Sequence, residues 1–166
     1  FGFELIDAYP QITHGGSMRY VIKRKENSKK SKNLINLLNH EKKNKIDKFS
    51  ACLKFKKNVI NSKKKLRLKI KKILMKKNRI CGYGATSKST TILNFCNINN
   101  SMIDCIFDTT RDKIGKLTPG THIPVVDYKL FKKSKYKHVF LFAWNHKKEI
   151  LKKEKKKKIK WFTHLN

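Results

Sequence analysis

Residues Arg79–Thr90 read RICGYGATSKST: a short apolar run, two glycines, one lysine and four serines and threonines. The order predicts a strand that ends at a tight turn and hands over to a helix. In an open α/β sheet such a turn faces the ligand crevice, and the N–H groups opening the helix favour an anion. Read as G-x-x-x-x-G-K-[ST], Gly82, Lys88 and Ser89 fit, but Ser87 holds the place of the second glycine, where the backbone must wrap a phosphate. Read as G-x-G-x-x-G, Gly82 and Gly84 fit and Ser87 again replaces a glycine. An acid able to hold a ribose is expected at the end of the next strand, and Asp108 closes MIDCIFD, 24 residues after Gly84. A nucleotide-binding turn is the shared content of both readings.

Outward from this loop, strand-like and helix-like stretches alternate. RICGY is followed by the helical STTILNFCNI, the strand MIDCIFD, a loop with Gly and Pro, the strand HIPVV and the helical DYKLFKKSK. HVFLFAW is the most apolar strand; NHKKEILKKEKKKK reads as a helix and IKWFTHL as a closing strand. Strands separated by short helices predict a small Rossmann-like parallel sheet covered on both faces. Upstream, FGFELIDAYP and SMRYVIKRK predict a hairpin joined by QITHGG, with Met18, Tyr20 and Ile22 on its buried face. KENSKKSKN reads as a polar linker. From about Leu34 to Lys77 the period becomes helical, with a bend expected at Ser62–Lys65. The domains expected are residues 1–27 as the terminal hairpin of an upstream domain, 28–77 as a helical linker and 78–166 as the Rossmann-like domain.

The formal net charge is +31, from 42 Lys and Arg against 11 Asp and Glu. Only five of these cations are arginine, at 19, 24, 67, 79 and 111. Arginine is the usual reader of bases and clamp of phosphates, so no specific nucleic acid is expected. Lysine and asparagine enrichment also follows from AT-rich codons. A basic module binding nucleotide or polyanion is the alternative reading. The four cysteines (52, 81, 96 and 105) lack CxxC spacing and predict free thiols without a metal site. No stretch is apolar enough to span a membrane and no signal-peptide layout opens the chain, so a cytoplasmic location and no membrane partner are expected. His40, His138 and His164 carry no partner pattern and read as surface residues.

Four ordered blocks resemble one family. QITHGGSMR, GYGATSKSTTILNFC, FDTTRDKIGKLTPGTHIPVV and FLFAWNHKKEI look like the C-terminal part of the sugar C-methyltransferases, enzymes that move a methyl group to a ring carbon of a nucleotide-linked keto-sugar. The resemblance implies an S-adenosylmethionine-binding domain and a zinc module upstream of Phe1, a nucleotide-sugar substrate, and a chain inactive without the upstream domain. A carbon beside a ketone loses its proton to a base, and the resemblance makes His14 that base, with Gly15, Gly16 and Ser17 beside the sugar. It places Gly82, Gly84, Ala85, Thr86 and Lys88 at the diphosphate. Asp108 stands at a ribose or as a strand cap, and Pro119, Gly120, His122, Trp144 and Asn145 stand at the substrate.

Overall fold

A computed structural model describes residues 1–25, 28–155 and 158–165. The polar linker and the lysine-rich end of the last predicted helix run partly through residues 26–27 and 156–157, outside the described residues. The chain divides into two compact units, Phe1–Lys57 and Asn58–Asn166.

In the first unit, β1 (Phe3–Gln11) pairs antiparallel with β2 (Ser17–Arg24), with a bulge between Leu5 and Asp7. The expected inward face of β2 is instead open: Tyr20 is 64% and Ile22 62% exposed. What covers the hairpin is α1 (Lys32–Lys43), which packs Leu34 inward. Ser31 fastens the two. Its hydroxyl caps α1 by accepting from Leu34 N–H at 3.0 Å and donates to Asp7 Oδ1 at 2.6 Å. Asn33 adds side-chain bonds to Asp7 and to the Ala8 carbonyl.

α1 ends at Asn44, Lys45 takes a left-handed φ of 53°, and α2 runs unbroken over Phe49–Met75. The bend expected at Ser62–Lys65 is therefore absent, and the break lies at residues 44–48. Lysine is a good helix former, so a lysine run interrupts the apolar stripe without interrupting the helix.

The second unit is a five-stranded parallel sheet in the order β5-β4-β3-β6-β7. Its strands are β3 (Ile80–Tyr83), β4 (Ile106–Asp108), β5 (Val125–Asp127), β6 (His138–Leu141) and β7 (Lys160–Phe162). Side chains alternate between faces. Ile80, Ile106, Val125, Phe140 and Phe162 meet Leu66 and Ile70 of α2 and Leu93 of α3 (Ser87–Cys96). Cys81, Phe107, Val139 and Leu141 meet Tyr128 and Phe131 of α4 (Tyr128–Lys133) and Ile150 of α5 (Lys147–Lys153). This is the doubly covered α/β sheet the alternation predicted. Arg67 of α2 adds a polar tie by donating to the carbonyls of Cys96 and Asn97 at the end of α3.

Two carboxylates are buried in this unit among its described residues, Asp108 at the end of β4 and Glu154 after α5. Glu154 is 7% exposed and accepts from the hydroxyls of Tyr128 at 2.5 Å and Tyr83 at 3.3 Å. Cys81 and Cys96 are buried thiols, Cys105 is half-buried and Cys52 is exposed, and none is in a disulfide.

Candidate functional site

Strand order decides where the crevice opens. From β3 the chain passes through α3 to β4 on one side; from β6 it passes through α5 to β7 on the other. The loops after β3 and β6 diverge, which is the position where open α/β sheets hold ligands. The two loops touch: Gly84 has φ +85°, and a Cβ placed there would stand 3.0 Å from the Ala143 Cβ. Both the backbone sign and the close approach call for glycine.

The loop backbone is held from two sides. Ala85 N–H donates to Asp108 Oδ2 at 2.6 Å, and Thr110 N–H donates to Asp108 Oδ1 at 2.7 Å. Lys113 Nζ donates to the Ala85 carbonyl at 2.8 Å. Thr86 then caps α3, its hydroxyl accepting from Ser89 N–H at 3.1 Å, while buried Ser89 returns a hydroxyl bond to the Thr86 carbonyl at 2.5 Å. A cleft of about 280 Å³ opens beside this turn, between Thr86 and Thr90 on one wall and Lys113, Lys116 and Pro119 on the other. Lys88 lies on the crevice side, its Nζ 4.9 Å from the centre of the Trp144 ring that follows β6. Asn145 sits in the same short turn, half-buried.

The remaining predicted residues divide by role. Gly82 is inside β3, where a Cβ would come within 2.7 Å of Phe142 and 2.8 Å of Ile106, so its small size serves packing. Pro119, Gly120 and His122 form a turn docked on α3: Asn94 Nδ2 donates to the Pro119 carbonyl at 3.0 Å, and Gly120 and His122 have φ of 74° and 52°. Buried Thr118 and Thr121 close that turn with a 2.7 Å hydroxyl bond. His14, Gly15 and Gly16 belong to the first unit. They make the connection between β1 and β2, with three consecutive positive φ values of 55°, 87° and 131°, and Ser17 opens β2. A histidine in the left-handed region is uncommon and concentrates at functional turns.

Over residues 12–165 the sequence matches the family described as C-methyltransferase C-terminal domain. The chain belongs to that family. The C-methyltransferase NovU of Streptomyces niveus is 34% identical over 76 residues, which is 46% of this chain and 18% of that protein.

Membership makes this a methyltransferase-family domain, and methyltransferases in general draw on S-adenosylmethionine. The acid ending β4, where a ribose would be held, has each oxygen turned onto a backbone N–H of its own loops. No group of three or more His, Cys, Asp or Glu able to hold a metal occurs among the described residues. No helix among them is long and apolar enough to cross a membrane.

Sequence reasoning missed Lys113 and His164. Lys113 lies 28 residues from the carbonyl it holds, and its only signal was its place in the block after Asp108. His164, read as a surface residue, is half-buried with its Nδ1 shielded from solvent.

Proposed function

We propose that this chain is the substrate-binding C-terminal portion of an S-adenosylmethionine-dependent C-methyltransferase acting on a nucleotide-linked keto-sugar. The cofactor belongs to an upstream domain of the same protein, and so does any zinc. The observation that carries the reading is the clamped turn at Ala85. Its peptide is tied by Asp108 and Lys113, so the N–H groups opening α3 are preorganised toward the crevice where Lys88 stands. A diphosphate there meets backbone donors and one cation at no cost of rearrangement. The open face of β2 supports an upstream partner body: a two-stranded hairpin is marginal alone, and Tyr20 and Ile22 are left uncovered.

His14 is assigned as the base. Its imidazole takes the proton from the ring carbon beside the ketone, the C–H electron pair passing into the enolate. Gly15 and Gly16 let the backbone approach the sugar without side chains intervening. The test uses the full-length enzyme. His14→Ala is expected to cut turnover by roughly a hundredfold to ten-thousandfold, to leave substrate affinity nearly unchanged, and to slow exchange of the sugar's α-proton with deuterated water in step. A variant that exchanges this proton at the parental rate removes His14 from the role and leaves it shaping the turn.

A further inference from the structure

The N-terminal ends of the strands lie opposite the crevice, and positive charge gathers there. β3, β6 and β7 are neighbours whose register sets Ile80 against His138 and His138 against Lys160. The residues entering these strands therefore stand side by side at the strand spacing, and Lys160 N–H donates to the Lys137 carbonyl at 2.7 Å. Two clefts open at this end and share Asn78 and His138. One, of about 260 Å³, is lined by Lys77, Arg79, Lys135, Tyr136 and Lys137. The other, of about 300 Å³, is lined by Lys69, Lys72, Lys76, Lys160 and Trp161. Lys69, Lys72 and Lys76 follow at steps of three and four, so they share one face of α2. Asp104 takes the Arg79 guanidinium at 2.7 Å, and no acidic side chain among the described residues lines either cleft. Lysines scattered by composition alone would face solvent singly. Here they arrive from α2, from the turn after it, from the segment before β6 and from the start of β7, and converge on one tract. His138 at the centre feels them: burial first, and then the charge of Lys160, lowers its pKa.

We propose that this tract binds single-stranded nucleic acid through its phosphate backbone, without sequence preference. The tract is separate from the crevice at Lys88 and does not depend on the methyltransferase reading. A run of phosphates relieves the repulsion among the lysines. Lysine is a point charge on a flexible stem, so it follows a backbone without fixing a base. A single strand also carries open base faces, and one half-buried aromatic side chain lines each cleft, Tyr136 and Trp161. Basic grooves that track a strand use such rings as stacking platforms. A membrane plane would meet two concavities here, and an acidic peptide would leave the rings unused.

Fluorescence anisotropy of a labelled oligothymidylate, titrated with this chain, tests the assignment. A chain of +31 attracts any polyanion at low salt, so the comparison is between two variants that lose the same charge. One carries Lys72→Gln, Lys76→Gln, Lys137→Gln and Lys160→Gln in the tract. The other carries Lys42→Gln, Lys43→Gln, Lys54→Gln and Lys57→Gln outside it; all eight positions are exposed. The tract variant is expected to bind roughly ten- to a hundredfold more weakly. Its slope of log affinity against log salt should be shallower by about 2 to 3, at ~0.7 for each phosphate contact on a single strand. The matched variant should stay within about twofold of the parent, because distant exposed charges are screened. In the parent chain, nuclear magnetic resonance of the His138 ring should show its pKa rising when the strand is bound, since a phosphate nearby favours the imidazolium. Equal losses in the two variants, or a His138 pKa that does not move with the strand bound, overturns the tract as the site. Polyglutamate, a duplex or anionic vesicles bound more tightly than the single strand overturns the choice of partner.

Discussion

Lys88 stands at the start of α3, just after the turn that ends β3. It is half-buried, follows the Thr86 cap and lies over Trp144. Lys88→Ala is expected to weaken nucleotide-sugar binding by about 1.5 to 3 kcal/mol, the range of a charge-assisted contact, with the melting temperature nearly unchanged. Calorimetric titration of parent and variant reads this directly, and equal affinities would count against the loop as the phosphate site. At this scale the sequence was legible where chemistry and local geometry coincide. Gly84, Thr86 and Lys88 are spaced as a strand–turn–helix connection requires, and they occupy one. Asp108 was visible as the acid ending a strand, but its partners were not. Whether such a carboxylate faces a ligand or its own backbone depends on how the next loop folds back, and no spacing encodes that. His164 shows the same limit, since the chain beside it is pinned by Ser62, 102 residues away.

Among the elements, one carboxylate gathers several of the ties between the hairpin and α1, beside the Asn33 bond to the Ala8 carbonyl and the packing of Leu34. Asp7 accepts from Ser31 first, and also from Tyr9, Asn33 and Ala8 N–H, which together hold its pKa at about 2 instead of the usual 3.8. A carboxyl with a depressed folded-state pKa stabilises the fold above its unfolded value and loses that contribution as pH falls through the folded one. The α1–hairpin attachment is therefore expected to persist down to pH 3.8 and to loosen toward pH 2. Amide exchange at Leu34 and Ala8 follows it, and Ser31→Ala should flatten the pH dependence. Protection relative to the intrinsic exchange rate that stays constant across this window would show that Asp7 is not the fastening. The strands and helices of the sheet unit were legible because alternation and three- to four-residue periods survive in single stretches. The break between α1 and α2 was not. It turns on Lys45 in a left-handed conformation, a place where glycine or asparagine would have announced the stop.

For the molecule as a whole, the +31 charge and the crevice make opposite demands on salt. A polyanion gathered by scattered lysines releases several counterions per contact, so its affinity falls steeply as salt rises. A diphosphate held by backbone donors and one lysine releases few. Nucleotide-sugar binding by this chain is expected to show a shallow dependence of log affinity on log salt, with a slope magnitude of about 1 to 2 on the counterion-release scale. A slope several times larger would favour the basic-module reading. This contest was legible from composition, and its outcome was not, because composition counts charges without saying which ones converge.

The Glu154 cluster makes the protein its own indicator dye. Burial, with the neighbouring Tyr128 and Glu154 adding to it, raises the Tyr83 phenol well above its ordinary value of 10. Burial first, and then Glu154, push Tyr128 up to about 12. Both hydroxyls stay protonated while the sheet is intact, and both ionise once it opens. A raised folded-state pKa contributes stability that is complete below pH 10 and is lost as pH climbs through the folded value. Phenolate absorbs at longer ultraviolet wavelengths than phenol. In an alkaline titration the later part of that absorbance is therefore expected to appear together with loss of the circular dichroism of the helices, between about pH 10 and pH 12. Tyr128→Phe should remove part of the coincident step. A smooth phenol titration completed with the helices still folded would mean that solvent reaches the cluster, and that the acid between α4 and α5 is not sealed in.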